Sequence, residues 1–485
     1  MWEVLKEWIP IIADDYIWGW GPQALGGTPL MVIILLGTGI ALTYFTGFIQ
    51  IRRFREALSL VFKGAFKHDD NKEKGDITPF QALMTALSAT VGNGNIAGVA
   101  SAIALGGPGA AFWMWITAIF GMATKYAEAV LGVKYRRVAE DGSMSGGPMY
   151  YCEYGIGGSF GRFLGIFFAI SGAIAALIGT GNMFQTNSMA VSVASQLKNA
   201  SLIGSEHIGL TQGVVGAVIA ILVGMVIIGG VKRIAQVAER LVPTMIILYF
   251  TFAIFVILWH IADVPAAILL IFESAFAPQA VLGGAVGIGI QQAIRFGVAR
   301  GILSNESGLG SAPIAHGAAK TKNPVTQGQI AMMGTFIDTI VVCSLTAIVI
   351  TVTGAYQQGP LYLPQDQALQ SIDMTMYAFN TVIPFGSAIV VVGSFLFGIS
   401  TLLGWCYYGE KCVEYLAGVR IKTAYRITFI ALMFLGSLPT AEGISTVVKI
   451  GDIGNAMMAF PNLIALLFLA REVGRITKEY LAKNA

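Results

Sequence analysis

The sequence has 485 residues, of which 55% are hydrophobic and 12% are charged, and its formal net charge is +3. Soluble domains carry about 25% charged residues, so the composition excludes an ordinary soluble protein and predicts a polytopic helical membrane protein. The small net charge does not indicate nucleic-acid binding, and the four cysteines lack the spacing of metal ligands or of a disulfide framework.

Apolar segments long enough to cross the hydrocarbon core of a bilayer follow one another along most of the chain. We therefore predict an all-α fold with about eleven transmembrane helices. The predicted segments are 29–49, 80–104, 107–133, 160–197, 212–230, 234–261, 281–312, 325–354, 376–410, 423–438 and 443–471.

The distribution of Lys and Arg predicts the orientation of these helices. Basic residues cluster in the loop 51–74 and in every second connection after it, whereas the long loops 262–280 and 355–375 contain none. Cytoplasmic loops carry an excess of Lys and Arg. We therefore expect a multi-pass protein of the cell membrane with its N-terminus outside and its C-terminus in the cytoplasm.

The second predicted helix is interrupted at its centre, where it reads Val91-Gly92-Asn93-Gly94-Asn95. Glycine and asparagine are poor helix formers, and unwound backbone at membrane depth is tolerated only where protein buries it or water lines it. A broken helix of this kind points to a transport site. The alternative is a helix crossing in which small residues let two helices approach closely.

A weak internal repeat supports the broken-helix interpretation. The stretch 95–102 matches 305–312 at four of eight positions, and the two copies are predicted to run in opposite directions across the membrane. Such an arrangement is typical of inverted-repeat transporters. We predict an extra N-terminal helix (1–50), a basic cytoplasmic loop (51–79), a first five-helix repeat (80–261), an extracellular loop (262–280), a second repeat (281–471) and a cytoplasmic tail (472–485).

The matching stretch of the second repeat, 283–312, is also glycine-rich, and we expect interruptions at Gly297, Gly301 and Asn305. It carries charged residues at membrane depth, which are costly and face a partner or a polar cavity. Asp338 on the next helix is the expected partner of Arg295, Arg300 and Glu306. A structural ion pair and a direct role at the substrate both fit this pattern.

Two interrupted helices provide polar backbone groups for a zwitterion and a cation. We expect the amides of Gly94 and Asn95, which open the second half of the first broken helix, to bind a carboxylate. The carbonyls of Ser88 and Val91, which close the first half, are then available to a cation. We also place Thr90 at the substrate site.

Hydroxyl groups in a later helix complete the predicted site. Ser400 and Thr401 follow Gly398 and offer oxygen ligands of the kind that hard cations prefer. Back-bonding to their own helix is the alternative role. Trp405, one turn after Thr401, is expected to restrict the pocket to a small side chain, although it could serve packing alone. Gln185 is a candidate for a hydrogen bond to substrate or between helices.

Three long motifs resemble those of the alanine/glycine:cation symporter family. They are SATVGNGNIAGVASAIALGGPGAAFWMW (88–115), KYAEAVLGVKYR (125–136) and ARGILSNESGLGSAPIAHGAA (299–319). The resemblance implies sodium-coupled uptake of alanine or glycine by alternating access. It also implies a LeuT-type core of five plus five helices, here with one extra helix in front.

The resemblance further implies one sodium site. Its ligands are the carbonyls of Ser88, Val91 and Phe397 and the hydroxyls of Ser400 and Thr401. The substrate-binding residues that we expect are Thr90, Gly94, Asn95, Gln185, Phe296, Thr401 and Trp405. A second sodium site would use Asn95, but Ala89 and Thr90 replace further ligands of that fold, so we expect a single ion.

Three functions compete with sodium symport. In a proton-coupled symporter, Glu306, Asp338 or Glu128 could carry the proton. A channel is disfavoured because channels build a filter on a pore axis rather than two inverted units. The sequence contains no catalytic motif, so an enzyme is the weakest interpretation.

Overall fold

The computed structural model describes residues 8–9, 11–12, 29–66, 73–179, 181–276, 290–438 and 441–483. Apart from one short hairpin and one isolated β-bridge, the regular secondary structure of the described residues is helical. The helices are α1 Leu30–Phe45, α2 Ile49–Arg52, α3 Phe54–Phe66, α4 Pro79–Thr90, α5 Val99–Gly106, α6 Ala110–Lys134, α7 Pro148–Tyr151, α8 Gly158–Ile178, α9 Met183–Asn199, α10 Ile208–Ile227, α11 Gly230–Trp259, α12 Val264–Phe276, α13 Ile290–Asn305, α14 Ala312–Gly317, α15 Pro324–Thr335, α16 Ser344–Val352, α17 Ser371–Asn380, α18 Gly386–Ala417, α19 Lys422–Ser437, α20 Ala441–Phe468 and α21 Ala470–Lys483.

Within the described residues, seven helices are long and apolar enough to cross a membrane, and α1, α12 and the stretch Gly94–Gly106 are shorter apolar helices. The prediction of a polytopic all-α membrane protein is therefore confirmed. Every predicted segment contains helix, although the start of the segment 281–312 lies outside the described residues.

The first broken helix is interrupted where the sequence predicts it. Helix α4 begins with a capping box in which Thr78 Oγ1 accepts the Gln81 N–H and Gln81 Oε1 accepts the Thr78 N–H, both at 3.0 Å. It ends at Thr90, and Val91 is extended (φ −77°, ψ 95°). The chain resumes in a π-helical turn, Gly94–Gly98, before α5. The break is enclosed by protein, because Val91 and Asn95 are fully buried.

The second broken helix is interrupted at Asn305, as predicted, but not at Gly297 or Gly301. Helix α13 continues through Gly297 and Gly301, and the chain unwinds only between Asn305 and Ala312, which begins α14. The two glycines serve close packing instead. A Cβ on Gly297 would lie 2.4 Å from the Ala110 carbonyl oxygen, and one on Gly301 would lie 2.5 Å from Thr117 Oγ1.

Two further predicted helices are also divided. The segment 160–197 includes α8 and α9, between which Gly179, Gly181 and Asn182 are not helical, and 376–410 includes parts of α17 and α18. The segment 262–280, predicted as a loop, contains α12. A third irregularity lies between α15 and α16, where Phe336–Cys343 forms a π-helical stretch. Such bulges occur frequently at functional sites.

The segments at the predicted cytoplasmic ends of the two broken helices are joined directly. Ile77 and Ala319 form a parallel β-bridge, and the Lys320 N–H donates to the Ile77 carbonyl at 2.7 Å. Arg136, just before the hairpin of β1 Arg137–Val138 and β2 Met144–Ser145, donates to carbonyls on both segments. These acceptors are Lys74, Gly317, Ala319 and Thr321. The guanidinium therefore holds the two segments together.

Candidate functional site

A cavity of about 100 Å³ lies where the two interrupted helices meet. Both breaks contribute to its wall, together with α9, α18 and α20. The lining residues are Ala89, Thr90, Gly92, Gly94, Gly98, Phe184, Gln185, Arg300, Leu303, Ser304, Glu306, Leu309, Thr401, Trp405, Asp452 and Asn455.

Five of the predicted substrate-binding residues are brought together in this cavity: Thr90, Gly94, Gln185, Thr401 and Trp405. The other two are not on its wall. Phe296 contacts the end of α5, where a Cβ on Gly106 would lie 3.2 Å from the Phe296 Cβ. An aromatic residue nine positions before the break therefore lies too far along α13 to reach the site.

Asn95 lies behind the cavity and shapes the break from within. Its Oδ1 accepts the Gly92 N–H at 2.8 Å, and its Nδ2 donates to Asp338 Oδ1 at 2.7 Å. The Asn95 N–H donates to the Gly92 carbonyl at 3.0 Å. Because its amide and side chain are both engaged within the protein, Asn95 is a bracing residue rather than a carboxylate ligand.

An exchange of Asn95 and Asp338 tests this bracing. We expect Asn95→Asp to lower the free energy of unfolding by about 1–3 kcal/mol, because a second carboxylate replaces a buried donor. The same loss is expected for Asp338→Asn. In the double variant the donor and acceptor are exchanged, so most of the stability should return. Thermal unfolding in detergent measures the stability of each variant. If the double variant loses as much stability as the two single variants together, the assignment is contradicted.

Four of the five predicted cation ligands form a compact group of oxygen atoms, namely those of Val91, Phe397, Ser400 and Thr401. Ser400 Oγ lies 3.2 Å from the Val91 carbonyl oxygen and 2.8 Å from that of Phe397. Thr401 Oγ1 lies 3.0 Å from the Phe397 carbonyl oxygen. Both hydroxyls back-bond to their own helix, as the alternative role required. Ser400 Oγ also contacts the first break, however, so a hydroxyl can bond to its own helix and still belong to the cation site.

Two features of the first break suit it to this oxygen group: the Ser88 carbonyl has lost its helical partner, and Gly92 permits close approach. The Gly92 N–H bonds to the Asn95 side chain, which releases the Ser88 carbonyl from the partner it would have in a continuous helix. A Cβ on Gly92 would lie only 2.4 Å from Thr401 Oγ1. Glycine is therefore required for the close approach of α18. The oxygen-only ligand set fits a hard cation such as sodium.

The unwound segment 306–311 is held by a buried carboxylate. Glu128 Oε1 on α6 accepts the N–H groups of Gly308 and Gly310, each at 3.1 Å, and the Asn462 side-chain amide at 2.7 Å. Gly308 and Gly310 have φ values of +93° and +82°, which glycine adopts without strain. The side chain thus satisfies backbone donors that the break leaves without helical partners.

Glu306 adopts a φ of +55°, which is uncommon for a residue with a side chain and stores strain at functional sites. Its Oε2 accepts a hydrogen bond from Ser311 Oγ at 2.5 Å, and the residue lines the cavity. Asp338, which was expected to pair with Glu306 or with the arginines of α13, instead accepts hydrogen bonds from neutral groups. These are the side chains of Asn95, Ser304 and Thr339.

Sequence reasoning missed three polar residues of the wall, Ser304, Asp452 and Asn455. Asp452 and Asn455 lie three positions apart, so they share one face of α20. An aspartate within an apolar segment was an available signal, because intramembrane carboxylates mark polar cavities. The polar run from Lys449 to Asn455, which reads KIGDIGN, carries this signal within the predicted segment 443–471.

A bundle of apolar helices, two of which unwind around a small polar cavity at their centre, defines a secondary transporter of the LeuT type. The crystal structure of MhsT in complex with L-phenylalanine has this architecture. It superimposes with a TM-score of 0.56 at 11% sequence identity, and the match covers 83% of this chain and 98% of that chain. The predicted LeuT-type fold is therefore confirmed.

The chain belongs to the sodium:alanine symporter family, whose sequence profile matches residues 16–485. It is similar to the sodium/alanine symporter AgcS of Methanococcus maripaludis, with 45% identity over 96% of this chain and 95% of the relative. It is also similar to the probable sodium/glutamine symporter GlnT of Bacillus subtilis, with 34% identity over 98% of this chain and 91% of the relative. The family resemblance predicted from the sequence motifs is confirmed.

Proposed function

We propose that this protein is a sodium-coupled symporter that carries alanine or glycine into the cell by alternating access. The observation that carries the proposal is the adjacency of a small cavity and an oxygen cluster at the first break. Thr401 belongs to both, because it lines the cavity and its hydroxyl lies 3.0 Å from the Phe397 carbonyl oxygen. A cation held there stabilises a nearby substrate carboxylate.

The cavity wall fits a small zwitterion. Gly94 opens the helical half of the first break, where a helix N-terminus favours a carboxylate. Glu306 and Asp452 supply negative charge for an ammonium group. The apolar side chains of Phe184, Leu303, Leu309 and Trp405 form part of the remaining wall, and the small cavity leaves room for a short side chain.

The Lys/Arg distribution and the paired breaks support a topology for this process. With the basic loops in the cytoplasm, the N-terminus is outside and the C-terminus inside the cell membrane. The repeats 80–261 and 281–471 then rock against each other around the cavity. In this topology, Arg136 and the bridge between Ile77 and Ala319 hold the cytoplasmic ends of the two broken helices together.

Proteoliposomes loaded without sodium test the proposal. We expect labelled alanine or glycine to accumulate when sodium is added outside, and not when choline replaces it, because the ion gradient drives the substrate. Counterflow exchange should also occur, since a carrier has this property and a channel lacks it. Accumulation that is indifferent to the sodium gradient would overturn sodium coupling.

Proton coupling is the second candidate, and the position of Glu306 on the cavity wall favours it, because a carboxyl group beside the substrate can carry a proton. The same liposomes distinguish the two coupling ions. A pH gradient, acidic outside and imposed without sodium, drives uptake only if a proton is the coupling ion.

Glutamine should be tested beside alanine and glycine as a substrate, because one relative is named a probable sodium/glutamine symporter.

A further inference from the structure

Trp405 forms a rigid part of the cavity wall. It lies one turn after Thr401 on α18, lines the same cavity and is only 3% exposed. Its indole packs edge-on against Tyr408, with ring centroids 5.9 Å apart. The position of this ring therefore determines how much of the cavity a substrate side chain can occupy.

The backbone of Gly181 lies directly against the indole. A Cβ added to Gly181 would lie 2.5 Å from Cγ, 2.6 Å from Cδ2 and 2.7 Å from Cβ of Trp405. Carbon atoms that are not bonded approach to about 3.5–4.0 Å at their optimum. Any side chain at position 181 therefore requires either the indole or the backbone to move by roughly 1 Å.

The residues that flank Gly181 are held by contacts with α19 and α20. Asn182 Nδ2 donates to the carbonyls of Leu177 and Phe429, each at 3.1 Å, which ties the link between α8 and α9 to α19. On the same link, a Cβ on Gly179 would lie 2.5 Å from Gly451 Cα, so α20 packs closely there too. Because Gly179 and Asn182, on either side of Gly181, are held against α20 and α19, we expect the indole to move rather than the backbone. Trp405 lines the cavity, so a displaced indole changes the space that is open to a substrate side chain.

We infer that Gly181 is a specificity-determining position, which sets the largest substrate side chain that the cavity accepts by fixing Trp405. Gly181 is not on the cavity wall, so it acts through the indole and is a positioning residue. The inference rests on the proposed function only in requiring that an amino acid binds beside Trp405. It adds that the link between α8 and α9, and not only the two broken helices, determines selectivity.

The test measures how well amino acids compete with a labelled substrate for transport by wild type and by Gly181→Ala. The competitors have side chains of increasing size, namely glycine, alanine, serine and valine. We expect the KM for alanine to rise at least about tenfold in Gly181→Ala, because one excess methyl group in an apolar pocket has that effect. The KM for glycine should change less than about threefold, since glycine has no side chain to clash. The kcat for glycine should be retained.

Two variants separate selectivity from general damage. Gly179→Ala creates a similar clash on the same link, but with Gly451 rather than Trp405, so it should affect glycine and alanine equally. In a Trp405→Phe background, Gly181→Ala should raise the KM for alanine much less than it does in wild type, because part of the displaced ring is absent. Equal losses for glycine and alanine in Gly181→Ala, or the same rise in both backgrounds, would overturn the inference.

Failure of the proposed function gives a different result. If wild type prefers a larger amino acid, the proposed substrate is wrong, yet Gly181→Ala should still lower the size limit of the competitors that it accepts. If wild type binds no amino acid, the proposed function and the inference are both wrong. A protein that transports alanine with an unchanged size limit in Gly181→Ala contradicts the inference alone.

Discussion

Thr401→Ala should raise the sodium concentration needed for half-maximal uptake by about 10–100-fold, because a hydrogen-bond-capable group facing a charge contributes about 1.5–3 kcal/mol. The Thr401 hydroxyl lies 3.0 Å from the Phe397 carbonyl oxygen and faces Gly92 in the first break. Uptake of labelled alanine as a function of external sodium measures the effect. The maximal rate at saturating sodium should fall less than the sodium affinity.

Thr401→Ser keeps the hydroxyl and should retain most of the sodium affinity. Thr351→Ala is a matched control, since this buried threonine makes the same kind of back-bond, to the Ala347 carbonyl at 2.7 Å, but does not line the cavity. It should leave sodium dependence unchanged. If Thr401→Ala and Thr351→Ala have the same sodium dependence, the cation is not held at this hydroxyl.

Glu128→Gln should reduce alanine affinity by about tenfold or more, although the residue does not touch the cavity. A neutral amide replaces a carboxylate that accepts three N–H donors, and each charge-assisted hydrogen bond is worth about 1.5–3 kcal/mol. The segment 306–311, which carries Glu306 and Leu309 into the cavity wall, then loses its support. Equilibrium binding of labelled alanine in detergent measures the loss.

Glu414→Gln provides the comparison for this variant. Glu414 is also buried, but it pairs with Lys411 at 2.9 Å and accepts a hydrogen bond from Ser145 away from the cavity wall. Its loss should lower thermal stability and leave alanine affinity within about twofold, since the site keeps its support. Wild-type alanine affinity in Glu128→Gln would show that the unwound segment does not depend on the carboxylate.

The features predicted best from sequence are those that local chemistry dictates. Four consecutive glycine and asparagine residues at 92–95 strongly disfavour a continuous helix, and the first break lies where they predict it. Gly297 and Gly301 have the same intrinsic preference, yet α13 continues through them because α6 packs against their bare backbone. Single-sequence reasoning cannot separate a glycine that breaks a helix from one that permits close packing.

The candidate site shows the same limit. The hydroxyls of Ser400 and Thr401 were placed near Val91 by analogy of motif, and the structure brings them together. Asn95 carries both donor and acceptor groups, and only the position of Asp338 decides that they turn inward. The link between α8 and α9 lies within the segment 160–197, which was predicted as one long helix, so the contact of Gly181 with Trp405 depends on tertiary packing.

Equilibrium binding of alanine, measured on purified protein in sodium chloride and in choline chloride, tests most directly whether the first break holds substrate and ion together. If it does, sodium should increase alanine affinity by about 5–150-fold, and alanine should increase sodium affinity by the same factor, because coupling between two sites is reciprocal. Thr401→Ala should abolish most of this coupling. Alanine affinity that is equal in both salts would contradict a shared site.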